Sequence, residues 1–338
     1  MIYAAFEAHR AALRAAHPSF LDAGETNLYR ALPHHFPELA RLADPAPGGR
    51  IHRCHLASET LDFLGLPRER WEARLGISLG VRDSLRILFA YAVATGIEIL
   101  IPSDVYPVYW DLAAAAGVRR QGYEARTPSS LADVSPAADD APQWLLVPDP
   151  VKPWGRALTE IDSIRAWAQA DDRRRVLIDA VYSPRALPSS ARGLIDDGIG
   201  IGLMSLSKGW LAPQKMGWAL FSERDGPSLR PLFMGQQKNE AGLSFARQAF
   251  GAHADRPRLV ASVIDRLRAG FLDRVAHATG IAVALPSCGY LVPDPASAAA
   301  WQERGVIAIP ASVFGSSWSG SLLSVIPPAP SARDASAS

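Results

Sequence analysis

The chain has 338 residues, of which 48% are hydrophobic and 20% charged, and its formal net charge is +1. This composition is typical of a globular protein, and the length fits one large domain with a smaller one. A charge so close to zero predicts neither a large basic surface for nucleic acid nor an acidic partner.

The N-terminal stretch MIYAAFEAHRAALRAAHPSF has the pattern of a short amphipathic helix, and Glu7 and Arg10 interrupt any signal-peptide core. No window approaches about 20 uninterrupted apolar residues, so we expect no membrane span. The two cysteines, Cys54 and Cys288, lack CxxC spacing, which predicts a reduced compartment without disulfides or a metal site. We therefore expect a soluble cytoplasmic protein.

Short apolar runs alternate with helical patterns between residues 80 and 225. The runs predict strands at 97–103, 143–149, 175–182, 201–207 and 217–223, and the helical patterns lie at 82–95, 107–116 and 159–170. Continuous apolar strands separated by helices indicate an α/β fold with a mostly parallel sheet covered on both faces. Ligands bind beyond the carboxyl ends of such strands, so polar residues there are the functional candidates.

The rest of the chain predicts a second, smaller α+β unit. Residues 245–285 have a helical pattern, and short strand-like pieces follow it. We expect residues 1–45 to form an N-terminal segment of the small domain, 46–240 the large domain and 241–326 the remainder of the small domain. The tail, 327–338, is rich in Pro, Ala and Ser and is expected to be disordered.

Lys208 follows the apolar run in SLSKGW and has small neighbours. Burial would lower the pKa of its ammonium group, and a neutral amine can form a Schiff base with an aldehyde. The alternative is a lysine that extends from a strand end into solvent. Lysine is rare here, with four among 35 basic residues, so its use at this position needs a reason.

Two further features are ambiguous by themselves. Asp179 and Tyr182, in DAVY, could hold a protonated ring nitrogen and another edge of the same ring, or could be a helix-capping aspartate beside a core tyrosine. Gly80 precedes a helical pattern, so free N–H groups there could bind a phosphate, although any turn before a helix can use glycine.

Taken in order, these motifs resemble the pyridoxal-phosphate (PLP) enzymes of fold type I, the aspartate aminotransferase superfamily. The resemblance covers roughly residues 45–325 and is most similar to the histidinol-phosphate aminotransferase branch. Its most specific part is SLSK with DAVY upstream, and VIAIPASVFG (306–315) is similar to a motif near the end of the small domain.

The resemblance implies a role for each matching residue. Lys208 would form the internal aldimine with PLP and shuttle a proton, Asp179 would pair with the pyridinium nitrogen, and Tyr182 would bond the phenolic oxygen. Tyr106 would stack on the ring. The phosphate would be held by the amides of Val81 and Arg82, the Ser205 hydroxyl and Lys215.

Three positions depart from the family pattern. Lys152 replaces the asparagine of the N-P-x-G turn; it could lie beside the phenolic oxygen or meet a substrate anion. Lys215 replaces the arginine that clamps the phosphate, and so loses the bidentate fork. Leu322 stands where an arginine binds the substrate carboxylate. The substrate could lack that group, or Arg82, Lys152 or Arg185 could supply the contact.

Several readings of function remain open. The first is a PLP-dependent aminotransferase of specialised metabolism, acting on an amine or amino acid. The second is another PLP reaction, such as decarboxylation, elimination, substitution, cyclisation or oxidation. The third is a non-catalytic binding module. A nucleotide enzyme is set aside because the chain lacks G-x-G-x-x-G and P-loop motifs. The resemblance also implies a homodimer, with His52 and His55 as possible contributions across the interface.

Overall fold

The computed structural model describes residues 2–39, 53–126, 141–183, 187–211, 216–235 and 240–329. Its strands are β1 Leu21–Asp22, β2 Leu75–Ser78, β3 Glu98–Pro102, β4 Arg120–Tyr123, β5 Gln143–Pro148, β6 Arg175–Asp179, β7 Gly200–Ser205, β8 Gly217–Leu220, β9 Leu291–Asp294, β10 Val306–Ile307, β11 Ile309–Pro310 and β12 Ser321–Ser324.

The helices of the described residues flank these strands. They are α1 Ile2–Ala16, α2 Leu28–His35, α3 Arg53–Phe63, α4 Arg68–Trp71, α5 Val81–Thr95, α6 Val108–Ala116, α7 Ile161–Gln169, α8 Ser189–Asp196, α9 Leu206–Trp210, α10 Gly226–Met234, α11 Glu240–Phe250, α12 Arg256–Thr279 and α13 Ala298–Glu303.

The central sheet contains seven strands among the described residues, in the order β2-β8-β7-β6-β5-β3-β4. All neighbouring pairs are parallel except the two that involve β8. Every residue of β5, β6 and β7 is buried, as expected for strands covered by helices on both faces. The predicted α/β fold with a mostly parallel sheet is confirmed.

The five predicted strands end earlier than the apolar pattern suggested, and two of these ends shape the candidate site. β6 ends at Asp179, because the Asp179 carboxylate accepts a hydrogen bond from the Val181 N–H and turns the chain. β7 ends at Ser205, which caps the short helix α9, so Lys208 lies in a helix and not at the end of a strand. Both changes place polar side chains at one edge of the sheet.

A second unit is built around the long helix α12 and a small antiparallel sheet of order β11-β12-β9. The N-terminal segment joins it, since β1 pairs in parallel with β10. Gly315 places this unit against the large sheet: its φ is +79°, and a side chain there would come within 2.5 Å of the Ser103 carbonyl. The domain limits at 45, 240 and 326 stay a prediction.

A buried ion cluster fixes the N-terminal segment. Arg10 in α1 lies 3.0 Å from the carboxylates of both Asp22 and Glu25. Helix α2 begins directly after this cluster, with Asn27 as its N-cap. This arrangement holds Tyr29 of α2 over the edge of the large sheet.

Three residues of the predicted disordered tail, 327–329, belong to the described structure. Ala329 is buried, and its carbonyl accepts a hydrogen bond from Arg14. Residues 330–338 lie outside the described part of the chain. Among the described residues, no helix is long and apolar enough to cross a membrane.

Candidate active site

Asp179 and Lys208 lie at the same edge of the sheet, at the carboxyl ends of the adjacent parallel strands β6 and β7. Asp179 is the last residue of β6 and pairs with Leu203 of β7. Lys208 lies three residues beyond the end of β7, in α9. The attraction of Asp179 acts on the Lys208 ammonium, which places the two groups in one site.

The Asp179 carboxylate is buried and held at both oxygens. The Tyr109 hydroxyl donates to Oδ2 at 2.5 Å, and the Val181 N–H donates to Oδ1 at 3.0 Å. Burial raises the pKa of Asp179, although these bonds and Lys208 act in the opposite direction. A fixed carboxylate in an apolar site is suited to a cationic partner, which would offset its burial.

Lys208 is partly buried between two aromatic rings. Its Nζ lies 4.9 Å from the centroid of the Tyr29 ring and 5.6 Å from that of Tyr182. Burial and the charge of Arg82 lower the pKa of Lys208 to about 8, while Asp179 opposes the shift. A neutral amine is therefore far more available than in an exposed lysine.

The N-terminus of α5 offers unpaired backbone donors. The N–H groups of Asp83 and Ser84 bond the Gly80 carbonyl, whereas those of Val81 and Arg82 have no partner in the described part of the chain. Gly80 has a φ of +104°, and a side chain there would lie 3.6 Å from the Ser205 hydroxyl. Glycine therefore leaves open a space between this helix end and Ser205.

Ser205 is buried beside that space and serves a structural role as well. Its hydroxyl donates to the Met216 carbonyl at 3.0 Å and accepts from the Ser207 N–H at 3.1 Å. Lys215, Arg185 and His52 lie outside the described residues, as does the side chain of His55. Their predicted contributions stay predictions.

Tyr106 lies at the mouth of the site with 46% of its surface exposed. The Arg82 guanidinium donates a hydrogen bond to its hydroxyl, and its ring meets Tyr109 edge-on at 6.3 Å between centroids. Tyr106 therefore reaches Asp179 only through Tyr109. An exposed ring in this position is free to contact a bound molecule.

Lys152 also lies beside the Tyr182 ring. Its Nζ is 3.1 Å from the Tyr182 ring centroid and 5.2 Å from that of Tyr290. Burial, together with repulsion from Lys208 and Arg268, holds the pKa of Lys152 well below its ordinary value. Two lysines thus meet one tyrosine ring.

Leu322 is fully buried in the middle of β12, where it pairs with Ile309 and Pro293. Its side chain belongs to the core of the second unit. The position that would carry a carboxylate-binding arginine is thus occupied by a packed apolar residue.

Sequence reasoning missed three tyrosines of the site, Tyr29, Tyr109 and Tyr290. Tyr109 could have been found, because it lies one helical turn after Tyr106 and faces the sheet end. Tyr290 opens β9 after a Gly turn, a weaker signal. Tyr29 is brought to Lys208 by the N-terminal segment, and nothing local in the sequence indicates this.

Comparison with solved structures decides the fold. A double mutant of the Thermus thermophilus aspartate aminotransferase aligns with a TM-score of 0.69 at 16% identity, covering 96% of this chain and 91% of that one. The chain has the fold of an aminotransferase. The Escherichia coli protein YbdL, reported with a methionine aminotransferase function, matches the same fold with a TM-score of 0.65 at 14% identity, over 94% and 92% of the two chains.

An aminotransferase from Staphylococcus aureus aligns on this aminotransferase fold with a TM-score of 0.65 at 15% identity, covering 91% of this chain and 89% of that one. No protein-family model matches the chain, and no curated protein matches it in sequence. The likeness is one of fold, and placement in the histidinol-phosphate branch stays a prediction.

The residues at this edge of the aminotransferase fold fit PLP group by group. Lys208 offers an amine for the aldehyde, and Asp179 a fixed carboxylate for the ring nitrogen. The open space at Gly80 and the free amides after it suit a phosphate. Among the described residues, no group of His, Cys, Asp and Glu could hold a metal ion.

Proposed function

We propose that the chain is a PLP-dependent, aminotransferase-like enzyme that acts on an amine or amino acid. The observation that carries this proposal is a doubly held, buried Asp179 near a Lys208 of lowered pKa, beyond the carboxyl ends of adjacent strands of an aminotransferase fold. A structural lysine needs neither the carboxylate nor the lowered pKa.

In this proposal, the chain's own groups hold the cofactor. Asp179 pairs with the ring nitrogen and Tyr182 with the phenolic oxygen, while Tyr106 covers a ring face. Other groups hold the phosphate, namely the amides of Val81 and Arg82, the Ser205 hydroxyl and Lys215. Tyr109 acts one step away, because its hydroxyl fixes the orientation of the Asp179 carboxylate.

Bound PLP supplies an electron sink for bonds at the carbon that carries the substrate amine. Lys208 would carry out the proton transfer at that carbon. Above pH 8 most of its amine would be neutral, and a neutral amine could bond the cofactor aldehyde or, when free of it, accept a proton from the substrate carbon. Tyr29 and Tyr182 flank Lys208 and exclude water from its amine.

Transamination is the reaction we propose, in specialised biosynthesis. A screen of amines and amino acids with 2-oxoglutarate should produce glutamate. Loss of CO₂, ammonia or a side-chain group without glutamate would instead indicate another PLP reaction.

We further propose a homodimer located in the cytoplasm. Light scattering on the purified protein tests the first point, with a mass twice that of the 36.4 kDa chain expected. A monomer that takes up PLP and turns over substrate would contradict it. Fractionation of the producing cell tests the second.

The proposal is tested by adding PLP to the purified protein and to the Lys208→Ala variant. Wild type should gain an absorbance band that survives dialysis, and the variant should lose the cofactor on dialysis. Equal behaviour of the two proteins would contradict the assignment. A wild type that binds PLP but turns over no amine would favour a binding module.

A further inference from the structure

The charged form of Lys152 has no anionic partner among the described residues. Its side chain belongs to the turn after β5, and among the described residues no carboxylate lies within ion-pair distance of its nitrogen. The charged or titratable groups that act on it are Cys288, Lys208 and Arg268, two of them cationic. A buried ammonium in such surroundings is unfavourable until an anion joins it.

The neighbouring cation cannot serve in its place. Arg268 of α12 donates to the carbonyls of Gly289 and Pro286, each at 2.5 Å. These bonds fix the loop that carries Gly289 against Lys152, where a side chain at Gly289 would lie 3.4 Å from the Lys152 Cε. Arg268 is therefore committed to this loop, and Lys152 is the basic group beside Tyr182 that has no ion pair in the described part of the chain.

The amino groups of Lys152 and Lys208 both lie near the Tyr182 ring, and the charge of Lys208 acts on Lys152. Their nitrogens lie 3.1 Å and 5.6 Å from the same Tyr182 ring centroid. The amine and the carboxylate of an α-amino acid are bonded to one carbon. A substrate whose amine takes the place of the Lys208 amine would thus have its carboxylate close to the Tyr182 ring, where Lys152 could bind it.

We propose that Lys152 binds the carboxylate of an amino-acid substrate and so selects carboxylate-bearing amines over amines that lack this group. The proposal rests on the proposed function, since it takes Lys208 as the lysine that bonds PLP. It explains how Leu322 can be packed in the core. The cation that binds the carboxylate would be Lys152, in the turn after β5, and not a residue of β12. An entering carboxylate also offsets the repulsion that Lys208 and Arg268 exert on Lys152.

The test compares pairs of ligands that differ only in the carboxylate. PLP-loaded wild type is titrated with each proteinogenic amino acid and with the amine left when its carboxylate is removed, and dissociation constants are read from the cofactor absorbance. We expect at least one amino acid to bind roughly 10- to 100-fold more tightly than its amine, as a charge-assisted contact would give. No preference in any pair would overturn the proposal.

Variants then test whether Lys152 causes the preference for the amino acid over its amine. Lys152→Gln should remove it by weakening the amino acid and not the amine, while Lys152→Arg should restore most of it. Arg258→Gln removes an exposed charge of α12 and should leave the preference unchanged. Equal weakening of both ligands in Lys152→Gln, loss of PLP from that variant, or a shifted cofactor band with unaltered preference would overturn the proposal.

Different results would contradict the proposed function and the proposed role of Lys152. A wild type that takes up no PLP on Lys208 contradicts the proposed function. A wild type that takes up PLP and keeps its carboxylate preference after Lys152→Gln contradicts this inference alone.

Discussion

The carboxyl ends of β6 and β7 differ sharply from the turn after β5 and the strand β12. The first region holds Asp179 and Lys208 in the arrangement expected of a PLP enzyme. The second region has Lys152 and Leu322 where the family pattern has asparagine and arginine. Cofactor chemistry depends on the rigid sheet, whereas substrate recognition depends on loops and the second unit, so the second region can change while the first is kept.

The largest expected effect comes from Lys208→Ala, which breaks the first region at its reactive atom. We expect turnover to fall by about 10²- to 10⁴-fold, because the variant lacks the amine that we propose as the proton acceptor. Steady-state kinetics measure the loss, and circular dichroism confirms that the variant is folded. Wild-type turnover in this variant would mean that Lys152 or another group is the reactive amine.

Asp179→Asn keeps the shape of the side chain and removes its charge. Turnover should fall by about 10²-fold, since a neutral amide cannot stabilise a protonated ring nitrogen. Asp149→Asn is the matched control: Asp149 follows the adjacent strand β5 and bonds Ser190. If both variants lose the same activity, the loss reflects the sheet edge and not a specific charge.

Tyr109→Phe tests whether the bond to Asp179 positions the carboxylate. The Tyr109 bond lowers the pKa of Asp179, so its loss should raise that pKa further and reduce turnover by about tenfold. Tyr123→Phe removes another buried hydroxyl, which bonds the Leu146 carbonyl, and should leave turnover unchanged. A pH profile that is identical in Tyr109→Phe and wild type would contradict the positioning role.

Gly80→Ala separates backbone strain from the phosphate site. Gly80 and Gly96 lie at opposite ends of α5, both with positive φ, so alanine at either should lower the unfolding free energy. The loss should be about 1–2 kcal/mol at the left-handed Gly96 and about 1–3 kcal/mol at Gly80, whose φ of 104° and ψ of 172° are nearly restricted to glycine. Only Gly80→Ala fills the space near Ser205, since nothing lies within 4 Å of a side chain at Gly96. Urea unfolding should therefore show that both variants lose stability. PLP titration should show that only Gly80→Ala loses affinity for the cofactor.

Arg82→Gln should give the smallest effect. Arg82 helps to lower the pKa of Lys208, so its removal raises that pKa and shifts the rising limb of the pH–rate profile to higher pH. The limb should lie near pH 8 in wild type. A shift to lower pH, or an equal shift in Arg258→Gln, would contradict the local origin of this effect.

Much of the large sheet could be predicted from the sequence. Buried parallel strands leave continuous apolar runs, and polar residues after those runs mark the edge where ligands bind. Asp179, Tyr182 and Lys208 were found in this way. The end of β6 was misplaced because Asp179 bonds the Val181 N–H, a side-chain contact that apolar periodicity does not encode.

The remaining site residues depend on contacts between distant parts of the chain. Tyr29 reaches Lys208 only because Arg10 and its carboxylate partners fix the N-terminal segment. The pairing of Lys152 with Tyr182 and Tyr290 depends on a loop that Arg268 holds from α12. No spacing within one segment could indicate either arrangement.

The central claim is that Lys208, and not Lys152, bonds the cofactor. Borohydride reduction of the PLP-loaded protein makes the lysine adduct permanent, and peptide mass spectrometry then locates it. We predict a single pyridoxyl group on the peptide that contains Lys208, and none on the peptide that contains Lys152. An adduct on Lys152, or no adduct at all, would contradict the account.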